Sequence, residues 1–203
     1  MLDSLLENLN YINVMILMAV ESSFIPFPSE VVVPPAAYMA AEGKMSFSLV
    51  LLFATFGSLI GATINYFLAL FVGRPIVYKF AGSKFGRMCL LNEEKIMQAE
   101  KYFDKHGAIA TLIGRLVPAV RQLISIPAGL ARMNFGYFTL YTIIGAGFWN
   151  VVLACIGWYL HSIVPLNELN QQVEIYERPI IITICALVIV GLAYYLYKVF
   201  KKN

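Results

Sequence analysis

Charge is scarce in this chain. Asp, Glu, Lys and Arg make up 13% of its 203 residues while 60% are apolar, against roughly 25% charged in an ordinary soluble domain. A chain of this length could bury a core, but it has too few charges to cover one, which excludes a water-soluble globule. Disorder, collagen and coiled coil fall to the same composition. Cysteine is scarce as well: Cys89, Cys155 and Cys185 are too few and too scattered for a disulfide framework or a zinc site. The last two lie in apolar runs, where a thiol acts as a small hydrophobe. Histidine is limited to His106 and His161. Residues 1–10 carry no basic side chain, and no small-residue cleavage pattern follows, so no signal peptide is expected. The net charge of +3 gives no reason to expect a nucleic-acid partner.

Long uncharged runs are what the chain does have. Crossing about 30 Å of hydrocarbon at 1.5 Å per residue takes about 20 helical residues. Residues 46–73 and 133–160 carry no charge, and 179–197 is uncharged between Arg178 and Lys198; each is expected to be a transmembrane helix. A membrane barrel would show short alternating segments instead. Two further apolar stretches are broken. Residues 11–42 are interrupted by Glu21, Pro26, Pro28, Glu30, Pro34 and Pro35, and 107–132 by Arg115, Pro118, Arg121, Pro127 and Gly129, so neither can be one continuous helix. Irregular backbone survives at membrane depth only where protein or a wet cavity satisfies it, which makes both stretches candidate re-entrant hairpins. The plainer alternative is that Pro and Gly kink ordinary spans, but kinks alone leave the accompanying charges unexplained.

Charge parity favours re-entry for the second stretch. The region 74–106 holds seven basic residues, Arg74, Lys79, Lys84, Arg87, Lys95, Lys101 and Lys105, and is the cytoplasmic loop by the positive-inside rule. If 107–132 dips in and returns, Arg132 and the lysines at 198, 201 and 202 share that side, and Glu168, Glu174 and Glu177 lie in an outer acidic loop. Within the basic region, Asn92 can cap a helix with Glu93 and Glu94 in its first turn and Lys105 and His106 in its last, before Gly107. Ile96, Ala99 and Phe103 share one face. An interfacial amphipathic helix and a short soluble cap on the bundle both fit.

The chain thus uses one unit twice, a proline-broken hairpin followed by a long helix with small residues. Gly57 and Gly61 lie in the first helix, and Gly145, Gly147 and Gly157 in the second, allowing close helix contact. The expected fold is an all-α integral membrane protein: an inverted repeat of two re-entrant helical hairpins, each followed by a transmembrane helix, with a C-terminal transmembrane helix and a cytoplasmic amphipathic helix. All of it forms one membrane domain. Inverted repeats with broken helices hold substrate at the repeat interface near the midplane.

Several motifs carry a family resemblance. They are Glu21-Ser-Ser-Phe-Ile-Pro26-Phe-Pro28-Ser-Glu30, the helix with Gly57, Gly61 and Tyr66, the element Gly114-Arg115-Leu-Val-Pro118-Ala-Val-Arg121 followed by Pro127-Ala128-Gly129, and the helix from Gly145 to Trp149. Over roughly 21–159 the chain resembles the DedA family, which shares its core with the SNARE-associated, or VTT, membrane proteins. The resemblance implies a bacterial plasma-membrane transporter that moves lipids between leaflets, undecaprenyl phosphate and phosphatidylethanolamine being the known cargoes. It also implies that two acids in the first hairpin, at Glu21 and Glu30, and two arginines in the second, at Arg115 and Arg121, serve members that depend on the proton-motive force.

The residues themselves support that chemistry. A central membrane arginine costs about 2.5 to 3.5 kcal/mol on insertion scales, so Arg115 and Arg121 must be offset. Pro118 between them breaks the helix and lets both side chains converge, and two guanidinium forks suit a phosphate. Pairing with Glu21 or Glu30, or snorkelling to the interface, would also offset them. Glu21 follows ten uncharged residues, whereas Glu30 could simply cap the second half-helix. Asn65, Tyr66, Trp149 and Asn150 are candidate pathway-lining residues, with packing or interface anchoring the plainer reading for the two aromatics. The expected partners are membrane lipids with phosphate headgroups and protons, without cofactor or metal, and a homo-oligomer stays open. A lipid-phosphate enzyme, a proton-coupled small-molecule or cation exchanger and a purely structural bundle are the competing functions. The first lacks a visible nucleophile-plus-base pair, and the last would not need charges inside the membrane.

Overall fold

The computed structural model describes residues 9–23, 29–82 and 93–200. Pro26, Pro28 and Asn92 lie outside them. Among the described residues all regular structure is helical: α1 Tyr11–Glu21, a 3-10 turn Ser29–Val31, α2 Val33–Ala41, α3 Phe47–Leu68, a π turn Ala69–Gly73, α4 Arg74–Gly82, α5 Glu93–Leu116, α6 Pro118–Arg121, α7 Ser125–Leu130, α8 Phe135–Leu160, a 3-10 turn Leu166–Glu168 and α9 Leu169–Phe200.

Local chemistry sets the starts. Asn10 caps α1 by accepting from the Asn13 N–H at 3.0 Å, and Asn134 caps α8 by accepting from the Gly136 and Tyr137 N–H groups. Pro34 sits in the first turn of α2 and Pro118 opens α6, where a missing N–H breaks no helical bond. Both broken stretches are therefore interrupted as expected.

Three boundaries differ from the sequence reading. Gly107 does not end the helix of the basic region; α5 runs unbroken for 24 residues to Leu116. A Cβ at Gly107 would fall 2.6 Å from the Phe103 ring and 3.3 Å from the Met133 sulfur, so the glycine serves close packing and its propensity penalty of about 1 kcal/mol is overridden. The span expected over 46–73 does not stop at Gly73 either, because the π turn carries α3 directly into α4. Finally, α9 begins ten residues before 179, so part of the expected outer acidic loop is helix, with Pro179 inside it. A bidentate pair, Arg74 Nε and Nη2 to the Glu100 carboxylate at 2.9 and 2.8 Å, ties α4 to α5.

The packing follows one rule in both halves. The first limb of each broken stretch packs on the long helix that follows it, α1 on α3 and α5 on α8. The second limb crosses to the other long helix, α2 to α8 and α7 to α3, and α3 and α8 pack on each other. Size is sorted against the habit of soluble proteins. Along α3 the buried positions include Val50, Ala54, Gly57, Ser58, Gly61 and Ala62, while Leu52, Phe56, Ile60 and Ile64 are 38% to 56% exposed. Lipid offers no hydrophobic drive between helices, so close approach of backbones has to supply the attraction. Gly57 and Gly61 provide it, since a Cβ on either would come within 2.2 Å of a carbonyl oxygen of α1. The segments Phe47–Lys79 and Phe135–Leu160 are long and apolar enough to cross a membrane.

Candidate functional site

The two interrupted regions meet. Helix α1 ends at Glu21, which is 3% exposed, and the Ser22 hydroxyl donates to its Oε2 at 2.8 Å. The following turn presents Ser29 and Glu30. From the second stretch, α6 ends at Arg121, whose Nη2 donates to Ser29 Oγ at 2.7 Å and to Glu30 Oε1 at 3.2 Å. The same nitrogen lies 3.1 Å from Glu21 Oε1, an oxygen with no aligned hydrogen bond, so that contact is one of charge. The guanidinium also covers Trp149, 5.3 Å from the ring centroid, a cation–π contact. Glu30 does not cap α2, whose N-cap position, Val32, receives no side-chain hydrogen bond.

Arg115 ends α5, is 3% exposed, and donates from Nη2 to Ser125 Oγ at 3.1 Å. Gly145 clears its path, because a Cβ there would fall 2.8 Å from the Arg115 Cβ. Arg115, Arg121, Glu21, Trp149 and Asn150 all border one cavity of about 10 Å³, together with Ser22, Ser58 and Gln122, room for about one water. Among the described residues, the Nε atoms of both arginines and Trp149 Nε1 are buried with no hydrogen-bond partner. Such a site can exchange ligands on Arg121: an anion must displace the carboxylates, and a proton on a carboxylate weakens that competitor.

Other side chains fasten the two regions together. Gln122 Nε2 donates to the Glu21 carbonyl at 3.1 Å, and Asn65 Nδ2 to the carbonyls of Ser22 at 3.2 Å and Gln122 at 3.5 Å. The Tyr66 hydroxyl donates to the Met133 carbonyl, and Asn150 Nδ2 to Thr55 Oγ1 at 3.3 Å. Asn65 and Tyr66 thus sit at joints and do not line the cavity bordered by Trp149 and Asn150, although Asn65 holds two of its lining residues, Ser22 and Gln122. On α7, Gly129 is pressed against the Tyr66 carbonyl, which a Cβ would approach to 2.2 Å, and Pro127 borders a separate cavity beside Arg74.

Sequence reasoning missed Gln122, the serines and, above all, Glu177. Expected in an outer loop, Glu177 is on α9, only 6% exposed, and faces Glu30 within hydrogen-bonding reach. The signal was present: Leu169, Val173 and Glu177 recur every four residues, and all three are buried, a helical face.

Comparison with known proteins is consistent with this architecture. The family described as the VTT domain matches residues 22–159. A protein of Lactococcus lactis named alkaline phosphatase-like protein is 34% identical over 75% of this chain and 71% of its own length. Undecaprenyl phosphate transporter A of Bacillus subtilis is 30% identical over 98% of this chain and 91% of its own. Protein DedA of Escherichia coli is 23% identical over 77% and 68%. No solved structure gives a significant match. The domain match takes in the second limb of the first broken stretch, all of the second stretch and both long helices, and with it the chain belongs to the VTT-domain, or DedA, family of membrane proteins.

Proposed function

We propose that this membrane protein moves a phosphate-bearing lipid, undecaprenyl phosphate or a phospholipid such as phosphatidylethanolamine, between leaflets, with Arg115 and Arg121 taking the phosphate and Glu21 and Glu30 carrying protons. One observation carries the reading: two buried guanidiniums border a single small cavity, and one of them is held by two carboxylates at 3.1 and 3.2 Å. Protonation of the carboxylates loosens their grip on Arg121, the lipid phosphate takes the freed donors, and proton loss returns the arginine to the acids. Unpartnered N–H groups at Arg115, Arg121 and Trp149 suit an anion, which favours lipid phosphate over a cation exchanger. The relatives named undecaprenyl phosphate transporter A point the same way.

The test is leaflet exchange of labelled polyprenyl phosphate and of phosphatidylethanolamine by purified protein in liposomes, with and without a pH gradient. Exchange of neither lipid would remove the proposal. Glu21→Gln keeps shape but cannot titrate; it is expected to fold normally while exchange loses its dependence on the gradient. A pH profile identical to wild type at equal protein level would exclude Glu21 as a proton carrier. The name alkaline phosphatase-like protein suggests the same anion in a different reaction. Release of inorganic phosphate from the labelled lipid, measured in the same liposomes, separates the two.

In this reading both broken stretches are re-entrant and form an inverted repeat in the bacterial plasma membrane, supported by the exchanged packing of their limbs. The region 74–106 and the C-terminus are cytoplasmic. With Cys89, Cys155 and Cys185 replaced by serine, cysteines at Lys101 and Arg132 are both expected to resist a membrane-impermeant maleimide in intact cells. Arg132 already has φ +54°, so cysteine brings no new backbone demand there. Labelling of only one of the two would mean that the second stretch crosses the membrane.

A further inference from the structure

Helix α9 lies beyond residues 22–159 that the family domain covers, yet it packs on the turn that carries Glu30. At that contact Glu177 is 6% exposed and its carboxyl is within hydrogen-bonding reach of Glu30, with Arg121 beyond. The charged neighbours on its own helix, Glu174 and Arg178, are exposed and pair with each other. Among the described residues the cluster is therefore three acids, the buried Glu21 and Glu177 and the partly exposed Glu30, against two bases, Arg115 and Arg121. One charge is left over, and an unbalanced buried charge is strongly unfavourable. Two carboxylates also cannot hydrogen-bond to each other without a proton between them.

We propose that Glu177 is a positioning residue of this site, forming with Glu30 a carboxyl pair that holds one proton and so latches the C-terminal helix to the turn that grips Arg121. With the proton in place Glu177 donates to Glu30, the cluster is neutral and Glu30 keeps its ion pair. When that proton leaves Glu177, the two carboxylates repel across the α9 contact and the turn loses its latch to the C-terminal helix. The functional consequence rests on the transport reading above; the proton itself does not.

Infrared spectroscopy of the purified wild-type protein in lipid at neutral pH tests this, since a protonated carboxyl has a carbonyl stretch separate from that of carboxylate. The expected result is that this band falls by one carboxyl equivalent in Glu177→Gln and equally in Glu30→Gln, and is unchanged in Glu174→Gln. A band unaltered in Glu177→Gln overturns the proposal. Should that variant fail to fold, Glu30→Gln reads the same proton from the other partner, and an unaltered band there overturns it equally. Failure of the transport reading is seen separately, as liposomes without lipid exchange whose protein still shows the band. A merely structural role for Glu177 would lower stability in Glu177→Gln and leave the spectrum unmoved.

Discussion

Replacing Arg121 with lysine is expected to abolish lipid exchange almost as completely as replacing it with alanine. One guanidinium nitrogen meets Ser29 Oγ, Glu30 and Glu21 within 3.2 Å, while the plane of the group covers Trp149. A lysine ammonium can keep the charge but not the fork or the stacked plane. A hydrogen bond to a charged group is worth about 1.5 to 3 kcal/mol, so losing one that forms in the rate-limiting state corresponds to roughly 10- to 100-fold in rate. The two variants should separate in stability. Alanine strands the buried Glu21 carboxylate and the partly exposed Glu30, a loss of about 3 to 5 kcal/mol when a buried pair is broken, and should lower the melting temperature in detergent well below that of the lysine variant. Wild-type exchange rates in the lysine variant would reduce the requirement at Arg121 to positive charge alone.

Gly61→Ala should be among the most destabilising single-methyl changes in the molecule. The added Cβ would fall 2.2 Å from the Ala19 carbonyl oxygen and 2.9 Å from the Ser22 Cβ. Those are mostly backbone atoms that cannot rotate away, so α1 would have to move as a unit, taking Glu21 with it. The expected loss is about 3 kcal/mol, the upper part of the usual overpacking range. Gly191→Ala is the matched control. Nothing lies within 4 Å of its added Cβ, and helix propensity favours alanine there by about 1 kcal/mol. Thermal unfolding of both variants decides the matter; a wild-type melting temperature for Gly61→Ala would mean that the α1–α3 interface is looser than its glycines imply.

The breaks and the long helices were legible because each follows from a local rule. Proline removes a donor, and an uncharged run of the right length has few other uses. The meeting of Arg121 with Glu21 and Glu30 was legible only as one of several ways to offset a membrane charge; choosing among them takes the third dimension, since the partners are 100 and 91 residues away in the chain. Glu177 was hidden by its neighbourhood. Glu168, Glu174 and Arg178 around it read as a solvated loop, and the four-residue recurrence with Leu169 and Val173 spans only two turns before the apolar run begins. Gly107 misled for the opposite reason: a glycine after Lys105 and His106 matches the signature of a helix end, whereas in the fold it makes room for the Phe103 ring and Met133 inside a continuous helix.

That continuity has a mechanical consequence. At 1.5 Å per residue, the 24 residues of α5 form a rod about 36 Å long with Arg115 near one end and Glu100, clasped by Arg74, toward the other. No joint lies between them to absorb a tilt. Any rotation imposed at the basic end is delivered as a lever stroke to Arg115, with Ser125 and Gly145 as the surfaces it must slide past. A charge acting on the basic end thereby biases the position of a buried guanidinium at the far end of the rod without contacting it.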